Sequence, residues 1–261
     1  MDLKNKNVLV TGGTHGIGLE IVKFLAKKKC NIAFFSRSIL KINKTKKILK
    51  KLKVKHYGQS LDILESKKID FFHENMKKKF GNIDILINNV GGGATRGKEM
   101  IEETNFGVWS EVLQKNVLTA AKFIKLCVPH MKKKKWGRVI TIASVAAKKN
   151  VGRPWYVMAK KAEVTLTKCL SVKKDLVRNG ITFNTVSPGA IMIPNTGWDF
   201  RKKEDPKKFA KLIKKKFPIG RLGKPQEVAN LVGFLCTKEA SFINGSDITI
   251  DGGQSNEGYE D

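Results

Sequence analysis

Short apolar runs and amphipathic stretches alternate along this chain. Residues 7–11 (NVLVT), 31–36 (NIAFFS), 83–90 (IDILINNV), 137–144 (GRVITIAS) and 181–187 (ITFNTVS) are compact apolar runs that read as buried strands. Shorter runs at 56–62 (HYGQSLD) and 247–251 (DITID) predict two more. The stretches 17–29, 39–52, 65–81, 107–134, 155–179 and 225–238 carry apolar residues at helical spacing, as Ile17, Ile21, Val22 and Leu25 do on one face of the first. Gly81 and Gly180 close two of these helices and Pro225 opens the last. Strands this uniformly apolar, alternating with helices, predict a parallel sheet covered on both faces. The expected fold is α/β: a single Rossmann-type, doubly wound sheet of about seven strands with helices on both faces. No linker or internal repeat divides residues 1–261, so one domain is expected.

Composition sets outer bounds. With 261 residues and 41% hydrophobic content the chain can bury a substantial core. Its net charge of +28 raises the question of an acidic partner. Only seven of the 51 basic residues are arginine, the residue that reads bases and phosphates in bidentate fashion, and lysine is spread from end to end. Either a compositional bias toward lysine on solvated faces or a preference for acidic partners accounts for this. Cys30, Cys127, Cys169 and Cys236 form no C-x-x-C pair and read as free buried thiols of a reducing compartment. The four histidines lack metal-ligand spacing, so no metal is expected. The N-terminus lacks a signal-peptide core and no apolar run reaches membrane length, which predicts a soluble, cytoplasmic protein without membrane partners.

Two stretches carry candidate chemistry. In VTGGTHGIG (10–18), Gly12, Gly16 and Gly18 fall between the first strand and the first helix. Bare backbone at a tight turn before a helix N-terminus can hold a pyrophosphate on N–H groups and the positive helix end. In WYVMAKK (155–161), Tyr156 and Lys160 share one helix face. Alone that pair means little in so lysine-rich a chain.

The glycine pattern G-x-x-x-G-x-G, rather than G-x-G-x-x-G, resembles that of the short-chain dehydrogenase/reductase superfamily. LDI (61–63), NNVG (88–91), KNV (115–117), Tyr156-x-x-x-Lys160, SPG (187–189) and GSDITIDGG (245–253) follow in the family's order, with Val90 where the family has Ala. Within the superfamily the chain is similar to 3-oxoacyl-carrier-protein reductases and to related sugar or alcohol dehydrogenases. The resemblance implies an NAD(P)-dependent enzyme that interconverts a carbonyl and a secondary alcohol. It implies that Tyr156 is the general acid/base, that Ser144 holds the substrate oxygen, that Lys160 lowers the Tyr156 pKa and binds the nicotinamide ribose, and that Asn116 holds a relay water. It places Gly12, Thr14, His15, Gly16, Ile17, Gly18, Ser36, Arg37, Asp62, Ile63, Asn89, Gly91, Pro188, Gly189 and Ile191 against the cofactor, together with Tyr156 and Lys160. The chain departs from the pattern in two places. Ser144 and Tyr156 are one residue closer than is common, and the usual Thr after Pro-Gly is missing, with Met192 and Ile193 nearby.

At the end of the second strand, Ser36 and Arg37 stand where NAD-preferring members place an Asp for the ribose 2′-OH. A Ser–Arg pair accepts a 2′-phosphate that an Asp would repel, so NADP(H) is expected over NAD(H). His15 adds a positive charge there only if protonated. Residues 190–224 are expected to form a substrate lid. Ile193, Trp198, Phe200, Phe209 and Phe217 either wall an apolar pocket or pack the lid on the body. Residues 201–216 hold nine Lys or Arg among sixteen positions, and Arg96 lies in a Gly-rich loop near the same mouth. That charge is either a solvated helix face or a sign of an anionic or carrier-linked substrate: a 3-oxoacyl thioester, a sugar or a secondary alcohol. The competing function is a basic scaffold that binds nucleic acid, or a cofactor sensor without turnover. An intact Asn116, Ser144, Tyr156 and Lys160 set favours catalysis, leaving nucleic acid only non-specific binding. The resemblance further implies a homotetramer or homodimer, with the acidic tail 256–261 loose or docked at an interface.

Overall fold

Seven strands form one parallel sheet in the computed structural model, which describes residues 3–98, 100–150 and 152–256. The strands are β1 (Asn7–Val10), β2 (Asn31–Ser36), β3 (His56–Ser60), β4 (Ile85–Asn88), β5 (Gly137–Ile142), β6 (Ile181–Pro188) and β7 (Asp247–Ile250). Their spatial order is β3-β2-β1-β4-β5-β6-β7, with every pair parallel. The order reverses between β1 and β4. The loops leaving those two strands therefore diverge and open a crevice at their carboxyl ends, where ligands bind in sheets of this kind.

Alternate residues of each strand feed two cores. Val8, Val10, Ile32, Phe34, Ile140 and Val186 pack under helices α1 (Gly16–Lys27), α2 (Ile39–Lys51) and α11 (Pro225–Leu235). Leu9, Phe35, Leu86, Val139 and Phe183 face helices α3 (Ser66–Lys79), α5 (Thr119–Lys134) and α7 (Pro154–Ser171). Phe35, Phe72 and Phe123 meet there with ring centroids 5.3–6.3 Å apart. This two-faced burial is why the strands read as continuous apolar runs.

Several expected boundaries shift. The long helix expected at 107–134 is α4 (Phe106–Leu113), a π-helical turn (Gln114–Leu118) and then α5. The helix expected at 155–179 ends at Ser171, and a single turn, α8 (Lys174–Val177), follows. A short helix, α6 (Ala146–Lys149), occupies part of the segment between Ser144 and Tyr156. Cys30, Cys127 and Cys236 are buried as expected, but Cys169 is exposed because α7 turns it away from the sheet. No described helix is long and apolar enough to cross a membrane. Beyond Asn256, the tail considered above lies outside the described residues.

The expected lid contains two helices, α9 (Gly197–Glu204) and α10 (Pro206–Lys216). Asp205 caps α10 by accepting the Lys208 N–H at 2.8 Å, and Pro206 occupies its first turn. Trp198 packs on Phe209 and Phe217, and the three close on Ile213 and Leu222 as the lid's own small core, while Phe209, Ile213 and Leu222 also wall a cavity beside the lid. Phe200 points to solvent, 56% exposed. The lid is pinned at its base by a parallel bridge between Ile191 and Gly223.

Candidate active site

The glycine loop is built by steric necessity. A Cβ on Gly13 would lie 2.9 Å from both Phe34 and Val22 side chains, and one on Gly18 would lie 2.4 Å from the Gly12 carbonyl oxygen and from Asn89 Nδ2. Gly12 and Gly16 have φ of 68° and 53°, a region that side-chain-bearing residues avoid. Asn89 secures the loop from the neighbouring strand, donating to the carbonyls of Thr11 at 2.9 Å and Gly12 at 3.3 Å. Thr11 completes the latch: its hydroxyl donates to Ile87 O and accepts the N–H groups of Asn89 and Val90. The sequence reading did not single out Thr11, although its position between the first strand and the glycines pointed to it.

Between these loops lies a cleft of about 590 Å³, lined by Gly12, Thr14, His15, Ser36, Arg37, Asp62, Ile63, Asn89 and Gly91 among the expected cofactor residues. Lys41, Arg96 and Lys115 also line it. Gly16, Ile17 and Gly18 start α1 at its edge, with Ile17 turned into the core. Pro188 ends β6, and Gly189 donates to Ile250 O at 3.0 Å, while Ile191 is buried at the lid's base. These six, and likewise Tyr156 and Lys160, do not line the cleft. A dinucleotide fits the side chains present: small residues where the backbone must be approached, cations at one end, and a helix N-terminus between.

Not all the expected charges are available. Arg96 pairs with Glu111 at 2.6 Å, so it is not a free cation at the mouth. The His15 ring is pushed below its ordinary range by burial first and by the Lys41 charge second, both of which disfavour its charged form. A Cβ on Gly16 would meet the Ile193 side chain at 3.1 Å, which places the apolar Ile193 against the phosphate loop.

Asn116 sits in the π-helical turn and is fully buried. Its Nδ2 donates to Gly92 O at 2.9 Å and Val112 O at 2.7 Å, and its Oδ1 accepts the Gly92 N–H at 3.1 Å. The side chain is thus a clamp on the 91–93 loop, with no hydrogen left to donate to a water. The Arg153 guanidinium and the Trp155 indole tie the same loop to the start of α7 through the carbonyls of Arg96, Gly97 and Lys98.

Lys160 is buried on α7 with its Nζ 5.9 Å from the Tyr156 ring centroid. The ammonium donates to Ile142 O at 3.1 Å and to Glu163 Oε2 at 2.8 Å. Burial opposes its charge, but Glu163 and then Tyr156 outweigh this and raise its pKa above the ordinary value. A Cβ on Gly91 would lie 2.5 Å from Asn116 Oδ1 and 3.2 Å from the same Nζ, so only glycine fits there, and the ammonium lies directly behind this cleft-lining residue without itself lining the cleft. Ser144 follows β5, half-buried, and its Oγ accepts the Ala146 N–H at 3.2 Å, which leaves its hydroxyl hydrogen available. Glu163 was missed from sequence.

A larger cavity of about 1020 Å³ lies between α1, the lid helices and the start of α11. It includes His15 and Gly16 but none of Ser144, Tyr156 or Lys160.

A family model described as enoyl-(acyl carrier protein) reductase matches residues 12–255. The 3-oxoacyl-[acyl-carrier-protein] reductase FabG of Salmonella typhimurium is 32% identical over 254 residues, spanning 97% of this chain and 98% of that protein. The chain is a short-chain dehydrogenase/reductase. L-sorbose reductase from Gluconobacter frateurii, solved with NADPH and L-sorbose, superposes with a TM-score of 0.88 at 27% identity, covering 97% of this chain and 98% of its own. A 7α-hydroxysteroid dehydrogenase solved with NADH and 7-oxo glycochenodeoxycholic acid gives 0.85 at 28% identity over 96% and 94%. This short-chain dehydrogenase/reductase is accordingly an NAD(P)-dependent oxidoreductase of the class that interconverts carbonyls and alcohols.

Proposed function

We propose that this enzyme reduces a ketone to a secondary alcohol, and runs the reverse, with NADP(H) and with Tyr156 as general acid/base. The observation that carries the reading is the buried Lys160 ammonium beside Tyr156, directly behind the cleft-lining Gly91. A free phenol holds its proton up to a pH of about 10, too high for transfer near neutrality. A buried cation beside a phenol favours its ionised form, and a phenol so placed can serve as general acid or base. The cofactor, when bound, supplies or accepts the hydride. In reduction the Tyr156 hydroxyl gives its proton to the carbonyl oxygen, while the Ser144 hydroxyl donates to that same oxygen and stabilises the developing charge. Lys160 reaches the ribose, and Asn116 holds the 91–93 loop in place for it.

Support for NADP(H) comes from Arg37 and Lys41 at the edge of the cleft beside Ser36. The Ser36 Oγ accepts the Ser38 N–H at 3.3 Å and keeps its own hydrogen for a phosphate oxygen. The lysines of α10 project outward around its apolar stripe, which suits an anionic or carrier-linked substrate such as a 3-oxoacyl thioester. The enzyme acts as a homotetramer or homodimer, as the family resemblance implies. Tyr156→Phe tests the assignment. The variant is expected to bind NADPH normally and to lose at least 100-fold in ketone-dependent NADPH oxidation, a typical general-acid contribution being about 10²–10⁴. Retention of more than a few per cent of the wild-type rate would remove Tyr156 from the mechanism.

A further inference from the structure

Glu163 is buried, 2% exposed, and its carboxylate lies 2.8 Å from the Lys160 ammonium. A carboxylate costs several kcal/mol to bury unless it is paired. In sequence the two residues look like an ordinary (i, i+3) surface pair, but both side chains are turned inward. Burial pushes the Glu163 carboxyl above the ordinary carboxylate range, and the Lys160 ammonium 2.8 Å away opposes this; the ion pair is what holds the carboxylate charged, and the carboxylate in turn compensates the buried ammonium.

The surroundings leave little else to act on this pair. The ionisable groups that influence Lys160 are Glu163 and Tyr156, and the one that influences Glu163 is Lys160. Among the elements packed on α7, β6 carries no ionisable side chain, and Arg138 of β5 is occupied by the carbonyls of Gly137, Gly180 and Thr237. Glu111 of α4 pairs with Lys115 of the π-helical turn, and Asp175 of α8 with Lys132. Lys148 and Lys149 of α6 and Lys174 of α8 are the remaining charges on those elements.

We propose that Glu163 is a positioning residue: its carboxylate fixes the Lys160 ammonium between Ile142 O and Gly91, and tempers its charge, so that Tyr156 gives up its proton less readily than beside a bare lysine. This deepens the Tyr156–Lys160 reading and rests on it. The sign follows from charge alone. Removing one buried negative charge beside an ammonium makes a proton on a neighbouring group easier to lose. Lys160 keeps its own proton against the phenolate, and the proton lost is that of Tyr156.

The test needs no substrate. Phenolate absorbance near 295 nm is titrated with NADP⁺ present, and the Tyr156 signal is isolated by subtracting the corresponding Tyr156→Phe protein, the chain having three tyrosines. Glu163→Gln, which keeps shape and hydrogen bonding, and Glu163→Leu, which fills the site with apolar volume, are compared with wild type. Thermal melts report folding separately. The Tyr156 midpoint is expected to fall by about one pH unit or more in both variants, and Glu163→Asp is expected to move it back toward wild type. A midpoint that stays in place, whatever happens to the melting temperature, would make Glu163 merely structural or uncharged. A midpoint that rises would mean Lys160 loses its charge without its partner. Either result overturns the proposal. Turnover by Tyr156→Phe reports independently on the reading beneath it.

Discussion

Gly18→Ala separates two opposed physical effects of similar size. Gly18 lies in the first turn of α1, and helix propensity alone makes alanine better by about 0.5–1 kcal/mol. The added methyl would lie 2.4 Å from the Gly12 carbonyl oxygen and 2.4 Å from Asn89 Nδ2, so the loop or Asn89 must retreat by about 1 Å to reach ordinary contact. Retreat breaks the Asn89 bonds to Thr11 O and Gly12 O, each worth about 1 kcal/mol net and more if a buried donor is orphaned. The expected balance is a destabilisation of about 2 kcal/mol. The same displacement disturbs the turn that leads into the helix N-terminus, so NADPH binding is expected to weaken about tenfold or more, 1.4 kcal/mol being a factor of ten. Gly197→Ala is the control. It lies in the first turn of α9 with no atom within 4 Å of the added Cβ, and should be neutral or stabilising by a few tenths of a kcal/mol. Chemical denaturation and NADPH fluorescence titration measure both quantities. A Gly18→Ala protein as stable as wild type, with unchanged NADPH affinity, would refute the close-approach argument.

Other outcomes follow from the same geometry. Arg37→Ala is expected to weaken NADPH about tenfold or more while leaving NADH within about twofold, since a charge-assisted contact is worth about 1.5–3 kcal/mol. Equal losses for the two cofactors would place Arg37 away from the 2′-phosphate. Burial depresses the pKa of His73, with the Glu74 charge opposing it. The unfolded chain then takes up a proton below about pH 6.5 that the native state resists, so stability falls as pH drops through that range. His73→Asn should flatten that part of the stability–pH curve, measured by denaturation between pH 5 and 7.5, and an unchanged slope would show that His73 is not its source.

The strand pattern was legible because each strand is buried on both faces, and all seven expected strands are present within two or three residues of their expected ends. The glycine loop was legible for a related reason: only residues without a Cβ fit beside Asn89, Phe34 and Val22. What escaped the sequence depends on long-range contacts. The π-helical turn at Gln114–Leu118 leaves no mark in an apolar repeat, and its Asn116 is bonded to Gly92, 24 residues away. The lid aromatics could have packed the lid or walled a pocket, and the structure has both: Trp198 and Phe217 join the lid's core, while Phe209 packs on it and also lines the adjacent cavity. Arg96 looked available until Glu111, from another element, took its charge. Glu163 stayed hidden because a glutamate three residues after a lysine has the signature of a solvated helix face, and burial reverses its meaning.

The most direct test of the account is a paired fluorescence titration of the wild-type protein with NADPH and NADH, at salt high enough to screen the net charge of +28. Saturable binding of both, with NADPH tighter by about tenfold or more, is the predicted result. Tighter binding of NADH would contradict the assignment of Ser36 and Arg37, and failure to bind either would contradict the cleft between β1 and β4 as a cofactor site.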